Sequence, residues 1–572
     1  MVINVKDTPS NCTVETSQSE QNGITYIKLT AKFSSPTVPS RFRLCFSYPV
    51  CDIYSMWSPS AGTNRVLGPD WGPKRVQSRL ASWMPIQQLI SLGGKNRLCI
   101  AVSDAKTPID ITTGVCEETA EMDCGIEFFT RLTTPITEYS ATIRLDTRDV
   151  DYYDSIYGVS EWWEKDCGYS PAPVPEKARR PMDSLWYSFH QRLDKDKIID
   201  QCRASRKFGL ETVIIDDGWQ TDDNARGYAY CGDWHVAPGK MGNMKALTDA
   251  LHELDMKVML WYSVPYMGIH CQKYEEFKDM LLDETGDRNT FFALDPRYPE
   301  VRDYLVGIYS DAITSYGLDG LKLDFIDSFY LSGRSLEADP RRDISSLEDA
   351  IDALMSRVTS ELTAIKPDVL IEFRQSYVGP SIRKYGNMLR VGDCPNDAIQ
   401  NRRGIVDLRF TSGRTAVHSD MLMWNVNEPV SSAAVQVAST LYSVPQISML
   451  IEKLPEDHRK MLAYYVGFWT EHRDVLLDGK LTATHPECCY NLVCSEKDGK
   501  AIFTAYGETV IPVKTEKAIV VNVTGEESLI LKNCGGKNFR VVNCMGEELE
   551  NGALAGNICE VSVPLCGMVF VG

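Results

Sequence analysis

The sequence has few histidines and none of the cysteine patterns that are typical of a metal site. Only eight histidines occur among 572 residues, and none forms an HxH or HxxxH pair. The eighteen cysteines are scattered, with no CxxC pair matched by a second one. Structural zinc sites usually need such histidines or paired cysteines, so we expect no metal ion and no cofactor. The cysteines are expected to be free thiols in a reducing compartment.

An excess of positive charge is also missing, as are long apolar runs. The formal net charge of −18 excludes nucleic acid and anionic membranes as expected partners, because both are polyanions. No run approaches the roughly 18 apolar residues of a membrane span. The opening MVINVKDTPSNCTVE has no basic segment followed by an apolar stretch. We therefore expect a cytoplasmic protein, or one secreted by a signal already removed, and leave homo-oligomerisation open.

The composition is that of a globular chain long enough for several domains. Residues 1–166 alternate apolar and polar side chains, as in ITYIKLTAKF, without a convincing long helical pattern, and predict an N-terminal β-sandwich-like domain. Residues 167–181 contain four prolines and predict a linker. Residues 477–572 return to short β-branched runs such as AIVVNV, which predict a small C-terminal β-sandwich domain.

Between them, residues 182–476 alternate short apolar runs with helical patterns and predict a (β/α)₈ barrel, so the fold class is α/β. One predicted helix begins after Asn243, and another includes Val301 and Ala312. The strand candidates are residues 184–189, 212–219, 257–263, 320–325, 369–374, 388–393, 415–420 and 445–450. Seven of these eight run from apolar residues into a polar or aromatic cluster, at the end where such barrels build active sites.

The polar residues at these strand ends are rich in carboxylates. Two facing carboxylates are what cleavage of a glycosidic bond requires, one as nucleophile or base and one as acid. Asp324 suits the nucleophile because Lys322, two residues earlier on the same strand face, favours its ionised form, although a simple salt bridge between them fits the spacing equally well. Asp393 and Asp397 are equal candidates for the second acid, and GDCPND around them also has the composition of a turn.

An ordered series of motifs resembles the retaining α-galactosidases of glycoside hydrolase family 36 and their relatives in the same clan. The series is VIIDDGWQ, CGDWHVAPGKM, LDGLKLDF, LRVGDCPNDAIQNR and FWTEHRDVL, and it spans residues 181–476. The resemblance implies a retaining α-glycosidase, most simply of α-galactosidase type, which acts on an oligosaccharide or glycoside by double displacement. The glycone stays open: an α-N-acetylgalactosaminidase, another α-glycosidase or a transglycosylase of the same clan would share these motifs.

The resemblance also implies roles for individual residues. Asp324 would be the nucleophile, and Asp393, matching the first acid of the family stretch, would be the general acid/base in preference to Asp397. The resemblance further implies that substrate would be bound by Asp216, Asp217, Trp219, Trp234, Trp261, Lys322 and Arg390. Asp233 would have a partly structural role.

The chain departs from the family pattern next to these residues. Leu323 replaces a tryptophan, and the fifth strand runs into EFRQSYVGP where the family has a glycine-rich stretch near the sugar's C2. Arg374 is therefore a further candidate for substrate binding, through an anionic group, although we favour its pairing with Glu372 or Asp420. Asp327 would face away from Asp324 and is expected to be structural.

Three other readings remain. WNVNEP contains an Asn-Glu-Pro that would make Glu428 the acid/base of a β-glycosidase, but it follows the seventh strand, which is the wrong one for that class. A metal-dependent hydrolase would use His418, Asp420 and Asp216, but the small number of histidines in the chain argues against this class of enzyme. The third reading is a catalytically inactive sugar-binding homologue. The presence of both Asp324 and Asp393 disfavours this reading.

Overall fold

Eight parallel strands form the central sheet of the computed structural model, which describes residues 2–283 and 289–572. In chain order, barrel strands 1 to 8 are Met182–Ser184, Thr212–Ile215, Lys257–Ser263, Gly320–Asp324, Leu370–Arg374, Met388–Arg390, Ala416–His418 and Gln446–Ile447. Strands 1 to 7 follow one another in the sheet, and strand 8 pairs with strand 1. Parallel bridges from His418 to Val444 and from Leu422 to Ile447 join the two edges, so the sheet curls into a barrel.

The predicted barrel is confirmed, but its first strand lies elsewhere than expected. Residues 182–184 form that strand, and most of the predicted segment, Trp186–Phe189, is a single helical turn. The strand was missed because Asp183 lies in it, fully buried, where it accepts hydrogen bonds from Gln201 Nε2 at 2.9 Å and from the Ser205 hydroxyl. A buried acid that is satisfied by a neighbouring helix breaks the apolar pattern by which strands are recognised.

Helices surround the barrel, and both helices predicted from sequence are present. Asn243 caps Met244–Glu253, its side chain accepting a hydrogen bond from Ala246 N at 3.0 Å. The second is Pro299–Tyr316. None of the helices in the described part of the chain is long and apolar enough to cross a bilayer. The other α-helices are Tyr152–Lys165, Trp186–Phe189, Lys195–Arg206, Pro238–Met241, Tyr274–Phe277, Leu347–Ile365, Ala398–Thr411, Val430–Ala438 and Glu456–Asp478. Single 3₁₀ turns are Glu176–Arg179, Ile326–Ser328, Gly333–Leu336, Ile382–Lys384, Ile451–Lys453 and Pro486–Cys488.

The barrel interior changes from apolar to charged along its axis. At the amino-terminal end of the strands lies an apolar cluster of Ala178, Met182, Ile214, Met259, Leu370, Met388 and Ala416. One step along the strands, Lys322 Nζ contacts Asp216 Oδ2 at 2.6 Å, and Gln446 donates to Glu372 from the opposite side of the barrel. Every second residue of a strand points into the barrel, and the inward-pointing residues near the carboxyl ends of the strands are the polar ones.

The N-terminal region contains two antiparallel sheets that share one hydrophobic core. In sheet order, the strands of the first are Asn4–Lys6, Phe42–Pro49, Glu121–Phe128, Ile109–Cys116 and Lys74–Ser78, and those of the second are Cys12–Gln21, Ile24–Thr37, Ile136–Asp146, Asn96–Val102, Ile86–Ile90 and Ser55–Trp57. One difference from the sequence prediction is the helix Tyr152–Lys165, which buries Ile156, Val159 and Trp163. Its run of aromatic residues, with two adjacent tryptophans, hid the helical period.

The C-terminal region is a second pair of β-sheets around its own core. Its larger sheet consists of Lys480–Ala483, Leu492–Lys497, Lys500–Ala505, Lys517–Asn522, Met568–Val571, Asn538–Val542 and Glu548–Ala553, and its smaller sheet of Val510–Pro512, Ser528–Lys532 and Ile558–Ser562. A hairpin of Tyr266–Gly268 and Phe291–Ala293 projects beyond barrel strand 3. The flanking β-rich regions on both sides of the barrel are as predicted, and the domain boundaries themselves remain predictions.

Asp407 joins the three regions. This buried barrel-helix carboxylate accepts two hydrogen bonds from Arg65, at 2.6 and 2.8 Å, and one from the Trp57 indole at 2.8 Å, both N-terminal residues. It also accepts from the hydroxyl of Tyr490, which lies beyond the barrel. Arg65 is fully buried, so its charge depends on Asp407 for compensation.

We expect Asp407→Ala to destabilise the protein by about 3–5 kcal/mol, because it leaves the buried Arg65 guanidinium without a counter-charge. Urea unfolding followed by fluorescence would measure the loss. The control is Glu161→Ala, which breaks an exposed pair with Lys165 and should change stability far less. Equal losses for both variants would contradict the importance given to this cluster.

Candidate active site

Asp324 ends barrel strand 4 and is held by donors on three neighbouring segments. Its Oδ2 accepts the Trp261 indole N–H at 2.9 Å. Its Oδ1 accepts Arg374 Nε at 2.8 Å, Phe325 N at 2.9 Å and the Tyr377 hydroxyl. The side chain is 7% exposed, so one edge of a nearly buried carboxylate faces the pocket.

The surroundings of Asp324 favour its ionised form. Burial alone would raise its pKa, but the charges of Arg374 and Lys322 and the hydrogen bond from Tyr377 bring the pKa well below its usual value. Lys322 acts at a distance, because its ammonium is bonded to Asp216. The alternative of a direct Lys322–Asp324 salt bridge is therefore replaced by a Lys322–Asp216 pair.

Asp216 and Asp217 lie side by side just beyond barrel strand 2, with different partners. Asp216 holds Lys322, while Asp217 accepts hydrogen bonds from Gln191 Nε2 at 2.6 Å and Gln220 Nε2 at 2.7 Å. Burial raises the pKa of Asp217 to about 6, and both amide donors oppose that rise. Two adjacent acids, one charged beside an ammonium and one between amides, offer acceptors for hydroxyl groups.

Asp393 is the more accessible of the two predicted catalytic acids. Its side chain is 49% exposed, and its Oδ1 accepts Arg390 Nη2 at 2.9 Å. Burial would raise its pKa, but the Arg390 charge, with those of Lys322 and Arg374, outweighs it and lowers the pKa, whereas the charge of Asp324 acts in the opposite sense. The same two cations therefore act on both carboxylates, and the carboxyl ends of strands 4 and 6 meet in one pocket.

The structure separates Asp393 from Asp397. Asp397 is the N-cap of helix Ala398–Thr411, and its side chain accepts a hydrogen bond from Gln400 N at 2.9 Å. A cap side chain is committed to the first turn of its helix. Among the described contacts, Asp393, four residues earlier, accepts from the Arg390 side chain and from no backbone N–H, and it lies at the pocket.

Arg390 sits in a cluster of carboxylates. It donates to Asp420 and Asp393, and its Nε lies 3.7 Å from Glu372 Oε1. Asp420 also accepts the Tyr187 hydroxyl at 3.0 Å. Arg390 therefore positions Asp393 through a network that reaches from strand 5 to strand 7.

The expected partner of Arg374 was wrong. Its guanidinium bonds to Asp324 and, through Nη1, to the Gln375 carbonyl at 2.9 Å; Arg390 pairs with Glu372 and Asp420 instead. Arg374 also lies over the Phe325 ring, 5.1 Å from its centroid. The residue that departs most from the family pattern thus contacts the predicted nucleophile directly.

The predicted tryptophans form one aromatic group. Trp261 bonds to Asp324, and the Trp234 ring packs edge-on against it with centroids 5.9 Å apart. Trp219 is fully buried, and its indole donates to the Trp261 carbonyl at 2.9 Å. Trp219 therefore supports Trp261, which contacts the predicted nucleophile Asp324.

Two other acids near these motifs have structural positions. Phe325 takes a left-handed conformation at φ 65°, so the chain turns directly after Asp324, and Asp327 lies in the 3₁₀ turn Ile326–Ser328. Its Oδ2 accepts the Ser376 hydroxyl at 2.9 Å. Asp233 accepts backbone N–H groups of Gln272 and Lys273, at 2.5 and 3.1 Å, and fixes that turn.

The rival sites are not assembled. His418 is fully buried between the Ala178 carbonyl, at 2.8 Å, and Gln446, and burial lowers its pKa to about 4. Within residues 2–283 and 289–572, the potential metal ligands that lie within reach of one another are Asp70, Cys116 and Glu118 in the N-terminal region, and the side chains of His418, Asp420 and Asp216 do not form such a group. Glu428 accepts from Asn425 N at 3.2 Å and the Ser432 hydroxyl at 2.7 Å, next to the start of helix Val430–Ala438.

Sequence reasoning missed several polar residues of the pocket. Tyr377, Tyr187 and Gln191 each bond to one of its carboxylates. All three lie just beyond barrel strands, where the barrel fold builds sites, and this position was the signal available. A single sequence does not distinguish such side chains from ordinary loop residues.

Residues 177–405 match the family described as Melibiase. The chain is similar to family 36 α-galactosidases. The α-galactosidase AgaA of Geobacillus stearothermophilus is 23% identical over 323 residues, 53% of this chain and 42% of that protein. An α-galactosidase of Lactobacillus acidophilus is 28% identical over 160 residues, 26% of this chain and 20% of that protein. The chain thus spans less than half the length of both curated relatives.

Solved α-galactosidases share the fold over nearly the whole chain. A crystal structure of the family 36 enzyme AgaA in complex with raffinose superimposes with a TM-score of 0.67 at 15% identity, covering 98% of this chain and 81% of that one. The α-galactosidase of Lactobacillus brevis gives a TM-score of 0.66 at 14% identity, covering 100% and 84%. At this identity the likeness establishes the fold, including the flanking β-rich regions.

Proposed function

We propose that this chain is a retaining α-glycosidase of α-galactosidase type that removes a terminal α-linked sugar by double displacement. The observation that carries the proposal is the pairing, in one pocket, of a nearly buried Asp324, held by four hydrogen-bond donors, with a half-exposed Asp393. A nucleophile must stay charged, whereas an acid/base must exchange protons with water and with the leaving group. The match to the Melibiase family and the α-galactosidase relatives support the same reaction class.

In the proposed first step, Asp324 attacks the anomeric carbon and the bond to the leaving oxygen breaks. Asp393 gives that oxygen a proton, and a covalent glycosyl ester on Asp324 remains. In the second step, Asp393 takes a proton from water, whose oxygen attacks the same carbon and releases Asp324 as a carboxylate. A sugar hydroxyl in place of water would give transglycosylation with the same residues.

The charges of the pocket favour a neutral glycone. The carboxyl groups are Asp216, Asp217, Asp324, Glu372, Asp393 and Asp420, and the cations are Lys322, Arg374 and Arg390. Each of these three cations already contacts a carboxylate of the protein, which disfavours an anionic sugar. An anionic glycone would also meet the surplus of acids.

A second candidate is an enzyme of the same fold with a glycone other than galactose. One relative, 24% identical over 196 residues, is the A type blood α-D-galactosamine galactosaminidase of Flavonifractor plautii. In this chain Arg374 and Tyr377 fill the space beside Asp324, which favours an altered pocket. Assay of nitrophenyl α- and β-glycosides, including N-acetylated and anionic sugars, tests both candidates. Cleavage of the α-galactoside with release of the α-sugar supports the first, and activity only on β-glycosides would exclude both.

We expect the pH profile to depend on the leaving group. Because Arg390 lowers the pKa of Asp393, the protonated form needed to assist a sugar leaving group is lost as pH rises from the acid side. Nitrophenolate leaves with little help. The fall in kcat/KM on the basic side should therefore begin at lower pH for raffinose than for 4-nitrophenyl α-galactoside. Superimposable profiles would contradict this role of Asp393.

A further inference from the structure

The two oxygens of Asp324 have unequal surroundings. Oδ1 accepts three donors, Arg374 Nε, Phe325 N and the Tyr377 hydroxyl. Oδ2 accepts one, the Trp261 indole. A carboxylate oxygen with three donors has its lone pairs occupied, so the other oxygen is the one free to form a bond.

We infer that Oδ2 of Asp324 is the attacking oxygen. Arg374 and Tyr377 hold Oδ1 and thereby speed release of the sugar from Asp324. Arg374 and Tyr377 are therefore positioning residues. This inference rests on the proposed double displacement. Arg374 and Tyr377 both belong to EFRQSYVGP, where the chain departs from the family pattern. The inference assigns this departure a function in the second step of the reaction.

The charge on Asp324 changes in opposite directions in the two steps. When Oδ2 bonds to the anomeric carbon, the carboxylate becomes a neutral ester and its attraction to Arg374 weakens. When water displaces it, the C–O bond to Oδ2 breaks, the electron pair returns to the carboxylate and the negative charge reappears. Donors on Oδ1 stabilise the charged form, so they favour the second step and oppose the first.

The positions of Arg374 and Tyr377 suit this function. Tyr377 is fully buried, its ring packs edge-on against Phe373 with centroids 6.1 Å apart, and its hydroxyl also accepts Phe325 N at 3.1 Å. Arg374 lies over the Tyr377 ring, 5.4 Å from its centroid. Both donors are fixed by packing, so they need no rearrangement when the charge returns to Asp324.

The test is Tyr377→Phe, which removes one donor and keeps the ring. With 4-nitrophenyl α-galactoside we expect kcat to fall about tenfold, the size of effect expected for loss of one hydrogen bond to a charged group. KM should fall in parallel, so that kcat/KM is unchanged or raised. A burst of one nitrophenolate per enzyme should precede the steady state, and added methanol should speed turnover. Arg374→Gln should change the rates in the same direction.

Tyr309→Phe is the matched control, because Tyr309 is a buried tyrosine whose hydroxyl has no hydrogen-bond partner in the described part of the chain. It should leave kcat and KM unchanged. The contradicting result is a Tyr377→Phe enzyme that still melts cooperatively but shows a lower kcat/KM at constant KM and no burst. This result would overturn the inference and leave the proposed function in place. A wild-type protein that cleaves no glycoside would overturn the proposed function and this inference together.

Discussion

Replacing Asp324 by alanine is expected to lower glycoside cleavage by at least about 10⁴-fold, because no other group can form the covalent intermediate. The substitution leaves a space the size of a carboxylate beside Arg374 and close to Lys322, and these cations should attract azide into it. Azide would then attack from the face that Asp324 occupied and give the β-glycosyl azide from an α-glycoside. NMR of the product identifies its anomer.

The matched control for this experiment is Asp327→Ala. Asp327 is three residues further along the same loop, and its side chain accepts a hydrogen bond only from Ser376 among the described contacts. We expect its activity to stay within about tenfold of wild type, the range of one lost hydrogen bond. Equal inactivation of both variants, or an α-glycosyl azide from Asp324→Ala, would refute the assignment of the nucleophile.

Replacing Asp393 by alanine is expected to lower the rate about 10²- to 10⁴-fold for a sugar leaving group, and far less for the first step with a nitrophenyl leaving group. The covalent intermediate would then accumulate, since no base activates water. Azide needs no base, so it should restore turnover and give the α-glycosyl azide, the opposite anomer from the Asp324 variant. Stopped-flow release of nitrophenolate and product NMR measure both effects.

Asp397→Ala is the control for Asp393, since both acids occur in the same GDCPND segment. Loss of the helix cap should cost about 1 kcal/mol of stability and leave kcat near the wild-type value. If Asp397→Ala required azide and Asp393→Ala did not, the two acids would exchange roles.

The fold was predictable because its signals are local. Each parallel strand is a short apolar run, and helix caps such as Asn243 repeat a known hydrogen bond, so sequence places both to within a few residues. The first strand was the exception: Asp183 is satisfied by Gln201 and Ser205, a tertiary arrangement with no sequence signature. The helix Tyr152–Lys165 escaped for a related reason, since its aromatic run does not repeat at a clear helical period.

The strand ends that meet at the carboxyl end of the barrel were predictable, and the pairings between their side chains were less so. Alternation along a strand brings Lys322 and Asp324 to one face, and the barrel topology brings strand ends together. Which cation meets which acid depends on side-chain conformations across strands. Lys322 therefore turned out to reach Asp216, and Arg374 to reach Asp324 instead of Glu372. Tyr377 donates to Asp324 in the structure, a contact that the segment EFRQSYVGP does not reveal by its sequence.

The proposed double displacement requires a covalent bond between the sugar and Asp324. A galacto-configured cyclitol epoxide, which alkylates the nucleophile of retaining glycosidases, tests it directly by peptide mass spectrometry. We predict one label per chain, on the peptide that contains Asp324, with loss of activity in parallel and no labelling of Asp324→Ala. Stoichiometric labelling of a different carboxylate, or full hydrolytic activity in a protein that never acquires the label, would contradict the account.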